Sequence, residues 1–128
     1  ARKAALAGAS VLLIPTALNA KWRIVSDVVI PSRAYENSIF VAYCDFAASD
    51  QGPGFSGLSK VCGPDGRDLI RANLTPALIT TTLDLDEIRI SCTCYRMSPA
   101  PCSPNALIRA DQGSCAVFGE QFQQNLVL

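Results

Sequence analysis

The 128-residue chain contains no histidine. That removes the usual general base at neutral pH, every Ser–His or Cys–His nucleophile pair, and the commonest transition-metal ligand. Catalysis by such a chain would fall to carboxylates, lysine, cysteine or backbone groups. The only lysines are Lys3, Lys21 and Lys60, and all three read as solvated. The six cysteines admit two readings. In a secreted chain they would form three disulfides with 15 possible pairings, whereas in a cytosolic chain they would be thiols. Cys44 and Cys62 lie inside apolar runs, where a buried free thiol is common, and Cys44 is expected in the core. Cys92, Cys94, Cys102 and Cys115 lack the paired spacing of a zinc knuckle, so no metal and no cofactor is expected.

These residues are positioned by a short series of elements. Residues 1 to 8 read as the end of a helix capped by Gly8. Val11-Leu12-Leu13-Ile14 is a continuous apolar run, hence a strand buried on both faces, ended by Pro15. Thr16 to Ala20 form a loop, with Asn19 as N-cap. Lys21 to Asn37 carry Trp22, Val25, Val28 and Val29 at helical spacing, and Pro31 must kink or interrupt that helix. Ile39 to Phe46 reads as a second buried strand. Helix–strand–helix–strand predicts an α/β layered sheet. Downstream, Gly63-Pro64-Asp65-Gly66 is a turn joining strands at Leu58–Cys62 and Asp68–Arg71. Ala77 to Leu83 fits a third antiparallel strand. Asp84 with Glu87 resembles a capping box. From Ser91 to Pro104 there are three cysteines, three prolines and no period. A boundary is placed near residue 90, and 91–128 form a divergent tail for which disorder or a short helix is expected.

Composition excludes several functions. Eleven basic and eleven acidic side chains cancel, which leaves no electrostatic footprint for nucleic acid or an anionic membrane surface. The apolar stretch from Ala4 to Leu18, behind Arg2 and Lys3, imitates a signal peptide. Thr16 and Asn19 fit a strand-to-helix loop instead, and Pro15 and Asn19 break the run before it could span a bilayer. The expected location is the cytoplasm.

Three stretches, in order, resemble the nitrilase superfamily of carbon–nitrogen hydrolases. Ala5-Leu6-Ala7-Gly8-Ala9 with Val11-Leu12-Leu13-Ile14-Pro15-Thr16-Ala17 is similar to the family's helix-to-strand passage after its nucleophile. Pro31-Ser32-Arg33-Ala34-Tyr35-Glu36-Asn37 with Phe40-Val41-Ala42-Tyr43 resembles its Arg-Ala-aromatic-Glu-Asn helix and following strand. Gly57-Leu58-Ser59, Gly63-Pro64-Asp65-Gly66 and Leu83-Asp84-Leu85 resemble its late hairpin and closing strand. The resemblance covers residues 1–90.

It implies a portion of an α-β-β-α sandwich, incomplete in this chain, and hydrolysis of a small amide, nitrile or N-carbamoyl substrate. The family's Glu–Lys–Cys set needs no histidine, because a carboxylate can take the thiol proton and an ammonium can hold the oxyanion. None of the three maps onto this sequence, so no catalytic residue is assigned. Thr16 and Ala17 end a buried strand of an α/β layer, where ligands bind, and the resemblance makes them a pocket wall. Trp22 is an aromatic wall or a packed helix residue. Arg33 holds a substrate carboxylate or pairs with Glu36 at i,i+3. Asn37 caps its helix. The resemblance also implies a homo-oligomer joined through the helix that ends at Gly8 and the Arg33-Ala34-Tyr35-Glu36-Asn37 helix, and a non-catalytic association module is the second reading of the chain.

Overall fold

The computed structural model describes residues 1–47 and 54–88 and the backbone of two short strands, Ala116–Phe118 and Leu126–Val127. Helix α1 (Arg2–Leu6) ends in a paired-carbonyl cap. Gly8 adopts φ 90°, its amide donates to Ala5 O at 2.9 Å, and the Ala9 amide donates to Ala4 O at 3.0 Å. This left-handed cap reverses the chain into β1 (Val11–Thr16).

β1 runs through Pro15 to Thr16, contrary to the expected stop. It pairs in parallel with β2 (Phe40–Asp45) from Val11↔Phe40 to Thr16↔Asp45. On its other side β6 (Ala116–Phe118) reaches only Val11–Leu13. Pro15 therefore needs no donor on that side, an edge-like position in which a strand tolerates proline. β3 (Lys60–Cys62) pairs antiparallel with β2, and β4 (Asp68–Arg71) antiparallel with β3. The sheet order is β4-β3-β2-β1-β6. This is an α/β sheet with a parallel centre.

The expected third antiparallel strand is reduced to β5 (Thr80–Thr81), which leaves the hairpin and pairs with β7 (Leu126–Val127). Its partner comes from the chain's far end, which local alternation cannot foresee. The same strand sits where a short helix or disorder was expected. The rest of the 91–128 expectation, with Cys92, Cys94, Cys102 and Cys115, lies outside the described residues.

Both faces of the central strands are covered. On one, Leu12, Val41, Tyr43 and Cys62 pack with Ala9, Ile30, Ala34 and Ile39. On the other, Val11, Phe40, Ala42 and Val61 pack with Leu83 and Ile88. The segment from Lys21 to Asn37 is a 3-10 turn (Ala20–Trp22), a π-helical segment (Val25–Val29) and α2 (Ile30–Asn37). The wide turn lies directly before Pro31, whose ring would press on the Asp27 carbonyl in a regular helix. Changing residues per turn shifts the phase. The buried positions are Ser26, Ile30 and Ala34, while Trp22, Ile24 and Val28 stay at least half exposed. Of the helical face read at Trp22, Val25, Val28 and Val29, only Val25 packs against the core.

Two further expectations fail for definable reasons. Cys44 is exposed, not a core thiol. β3 pairs with β2 no further than Tyr43, and Pro15, the register partner of Cys44 on β1, is exposed as well. Lys60 is not solvated. It is 1% exposed, and its ammonium is held by both Asp68 oxygens at 2.8 and 2.9 Å. Arg71, Asp27 and Arg23 extend this pair outward, with Arg71 bonding Asp27 and Arg23 Nε 2.9 Å from Asp27 Oδ2. These bonds tie the π segment to the sheet edge.

Gly66 closes the β3–β4 turn at φ 79°, and a Cβ there would lie 3.2 Å from Pro31 O and 3.1 Å from Tyr35 Cβ. Gly66→Ala is expected to cost about 1–3 kcal/mol, from left-handed strain and from pushing the turn off α2. Urea unfolding measures this, and an unchanged midpoint would contradict the close approach.

Candidate functional site

The carboxyl ends of parallel strands are where open α/β sheets bind ligands. Here those ends are Thr16 on β1 and Asp45 on β2, which are register partners. Thr16 is half-buried and Ala17 exposed. The loop after them meets the 54–59 loop through backbone bonds. Ser56 N donates to Leu18 O, and Ala20 N to Gly54 O, both at 2.8 Å. Asn19 bridges Phe55 and caps the 3-10 turn, accepting from Lys21 N at 3.2 Å. Phe46 and Phe55 stack obliquely, with ring centroids 5.3 Å apart.

Asp45 sits at the centre, only 6% exposed. Its Oδ1 accepts from the Leu18 amide at 2.8 Å and the Phe46 amide at 2.9 Å. Its Oδ2 accepts from Tyr43 Oη at 3.1 Å and from the Ser56 hydroxyl. Its own amide donates to Ser59 Oγ at 2.9 Å. A carboxylate can be kept in a dry environment only when its oxygens are this fully engaged. Burial, and then the Asp45 charge beside it, push the Tyr43 hydroxyl up to about 12. Tyr43 therefore stays a donor.

Trp22 lies on the 3-10 turn that leaves this loop, with Lys21 Nζ 5.5 Å from its ring centroid. The cation rests on a half-exposed indole. Arg33 lies apart on the outer face of α2, its guanidinium 2.9 Å from Glu36. The structure thus places Thr16, Ala17 and Trp22 on one stretch and commits Arg33 to the helical pair. Asn37 Nδ2 donates to Arg33 O at 2.8 Å, which satisfies a terminal carbonyl, while Ser38 takes the left-handed turn.

Sequence reasoning missed Asp45, Ser56 and Ser59. The available signal was a lone carboxylate ending an apolar strand, followed by hydroxyls in a Gly-rich loop. Among the described residues no group of three or more His, Cys, Asp or Glu could hold a metal. No described helix is long and apolar enough to cross a membrane.

The sequence profile of the carbon-nitrogen hydrolase family matches residues 1–90. The chain belongs to the carbon-nitrogen hydrolase family. A hydrolase from Pseudomonas protegens, encoded in the pqqF 5′ region, is 42% identical over 84 residues, covering 66% of this chain and 30% of that protein. A mutant amidase of the nitrilase superfamily from Nesterenkonia superposes with TM-score 0.56 at 38% identity, covering 59% of this chain and 29% of that one. The same amidase solved with butyramide superposes equally well. Another of its structures carries the acetamide moiety of fluoroacetamide on the active-site cysteine. This carbon-nitrogen hydrolase chain spans under a third of the length of the relatives it matches. Its fold is an incomplete nitrilase-like α/β sandwich.

The two described thiols, Cys44 and Cys62, are free. Cys62 is buried, and its thiol is pushed from 9.0 to about 12, mainly by burial and then by its bond to Asp68. Tyr43 is raised in the same sense, from 10.0. In both cases the fold prefers the protonated form while the unfolded chain releases its proton earlier. Their contribution to stability is therefore whole below about pH 9 and is lost as pH rises toward about 12. Urea unfolding between pH 8 and 11 should show this decline, and Cys62→Ala should flatten its early part. A pH-independent midpoint would refute both assignments.

Proposed function

We propose that this chain forms one wall and much of the core of a carbon–nitrogen hydrolase domain that hydrolyses a small neutral amide. The observation that carries the proposal is the 38% identical superposition on an amidase solved with butyramide. Nitriles and N-carbamoyl compounds are the alternative substrates of the same chemistry. Arg33, the group that would hold the carboxylate of a carbamoyl amino acid, is engaged by Glu36 instead, which supports a neutral substrate. Thr16 and Ala17 contact that substrate. Trp22 serves as an outer aromatic wall, and Arg33 orders α2.

The nucleophile, base and oxyanion cation come from outside these residues, so the chain alone is inactive. Cys44 is exposed, but no described cation or base activates it. A reducing, cytoplasmic setting is part of the same reading. Ammonia release from butyramide tests the proposal. Turnover is expected from the full-length protein and none from the 128-residue chain. Turnover by the chain that Cys44→Ala abolishes would overturn this reading.

The domain pairs with a second copy through the crossover leading into α2, where Ile24, Val28 and Val29 are exposed. Apolar side chains clustered along one surface segment are typical of an interface. Val28→Glu is expected to convert a dimer into a monomer in light scattering coupled to gel filtration. A wild-type monomer, or a dimer indifferent to this change, would exclude that surface.

A further inference from the structure

The loop from Gly54 to Ser59 carries two backbone features that a simple connection does not need. Gly57 and Leu58 are consecutive residues in the left-handed region, at φ 54° and 59°. Leu58 is a bulky residue there, and it is buried. Such strain persists only when the surroundings over-determine it, and it gathers at functional sites. The surroundings here are specific. Ser26 Oγ donates to Leu58 O at 2.9 Å, and Gly57 N donates to Phe46 O at 3.0 Å. A Cβ on Gly57 would lie 3.2 Å from Asn73 O.

Asp45 bonds to both loops at once. One oxygen holds the Leu18 amide of the 16–20 loop, and the other holds the Ser56 hydroxyl of the 54–59 loop. Resting on the reading of Thr16 and Ala17 as a substrate wall, we propose that Asp45 is the positioning residue that locks this wall to the strained 54–59 loop. The carboxylate does not touch substrate. It fixes the backbone at Leu18, one residue beyond Ala17, and so sets where the wall stands. Displacement by an ångström at such a wall costs up to about a hundredfold in efficiency.

The chemistry makes the carboxylate replaceable in part. Asparagine keeps Oδ1 as acceptor for the Leu18 and Phe46 amides, and its amide nitrogen can donate to the oxygens of Tyr43 and Ser56. Alanine keeps none of these bonds. The test therefore compares Asp45→Ala, Asp45→Asn and Ser56→Ala in the full-length protein. Butyramide hydrolysis gives kcat and KM, and amide hydrogen exchange is read over residues 16–20, 54–59 and, as control, 68–71.

For Asp45→Ala, exchange should quicken about tenfold or more in the first two segments and stay unchanged in the third. KM should rise about tenfold, with a smaller fall in kcat. Asp45→Asn should restore most of both. Should Asp45→Ala fail to fold, Ser56→Ala removes only the hydroxyl bond from the 54–59 loop to Asp45, leaves the backbone bonds between the loops in place, and should move both readouts the same way by a smaller factor. Exchange that quickens equally in all three segments with KM unchanged would mean a merely structural carboxylate. Unchanged exchange at 16–20 in Asp45→Ala, or in Ser56→Ala when that variant stands in, would also overturn the proposal. A wild type without turnover would refute the amidase reading alone, since exchange still decides whether Asp45 locks the loops.

Discussion

The constraint that the rest of this structure serves is the burial of a parallel strand pair. β1 and β2 are apolar on both faces, and a parallel pair cannot be closed by a tight turn. The chain between them must cross over one face, and it does so as the 3-10, π and α2 segment. That crossing places Ile30 and Ala34 on Leu12 and Val41. The opposite face is left to Leu83 and Ile88, far downstream of β2 in the chain. Both covers are needed before either strand is dry. For this reason the hairpin and the 83–88 segment belong to the same folding unit as the first two strands.

Ionic contacts then fix how the crossover sits. Asp27 is held by Arg71 and Arg23, which keep its carboxyl below the ordinary range. Arg71 also reaches Asp68, which holds Lys60 beneath the helix. A buried lysine is tolerable only with so close a partner. The exposed members of the chain contribute little individually. Their effect is to set the angle at which a helix interrupted by Pro31 leaves the sheet.

What the sequence revealed follows from which interactions are local. The apolar run at Val11–Ile14, the Gly8 cap, the Asn19 cap, the Arg33–Glu36 pair and the Gly63–Gly66 turn all depend on residues within a few positions, and each is readable. Lys60 was misjudged because its burial depends on Asp68 across a hairpin and on a helix above it. Cys44 was misjudged because strand composition says nothing about where the neighbouring strand stops. The helix face was misjudged because a period of 3.6 was projected through a π turn. Asp45 escaped notice for the same reason as Lys60, since three of its five donor and acceptor partners, Leu18, Ser56 and Ser59, meet it only after folding.

The placement of cost in this fold is itself informative. A buried carboxylate requires several hydrogen bonds to offset its desolvation, and packed apolar side chains would join two loops with less penalty. A bulky residue at positive φ adds a further cost. Asp45 ends β2 and Leu58 lies on the 54–59 loop bonded to it, both at the carboxyl ends of the parallel strands, while at the opposite end the positive φ values fall on Gly8, Gly66 and the small Ser38. Stability alone gives no reason for that asymmetry. A requirement for accurate geometry does, because hydrogen bonds to a fixed carboxylate specify direction and distance where apolar contacts specify only proximity. The end of the sheet that holds Asp45 is therefore the end at which position matters most.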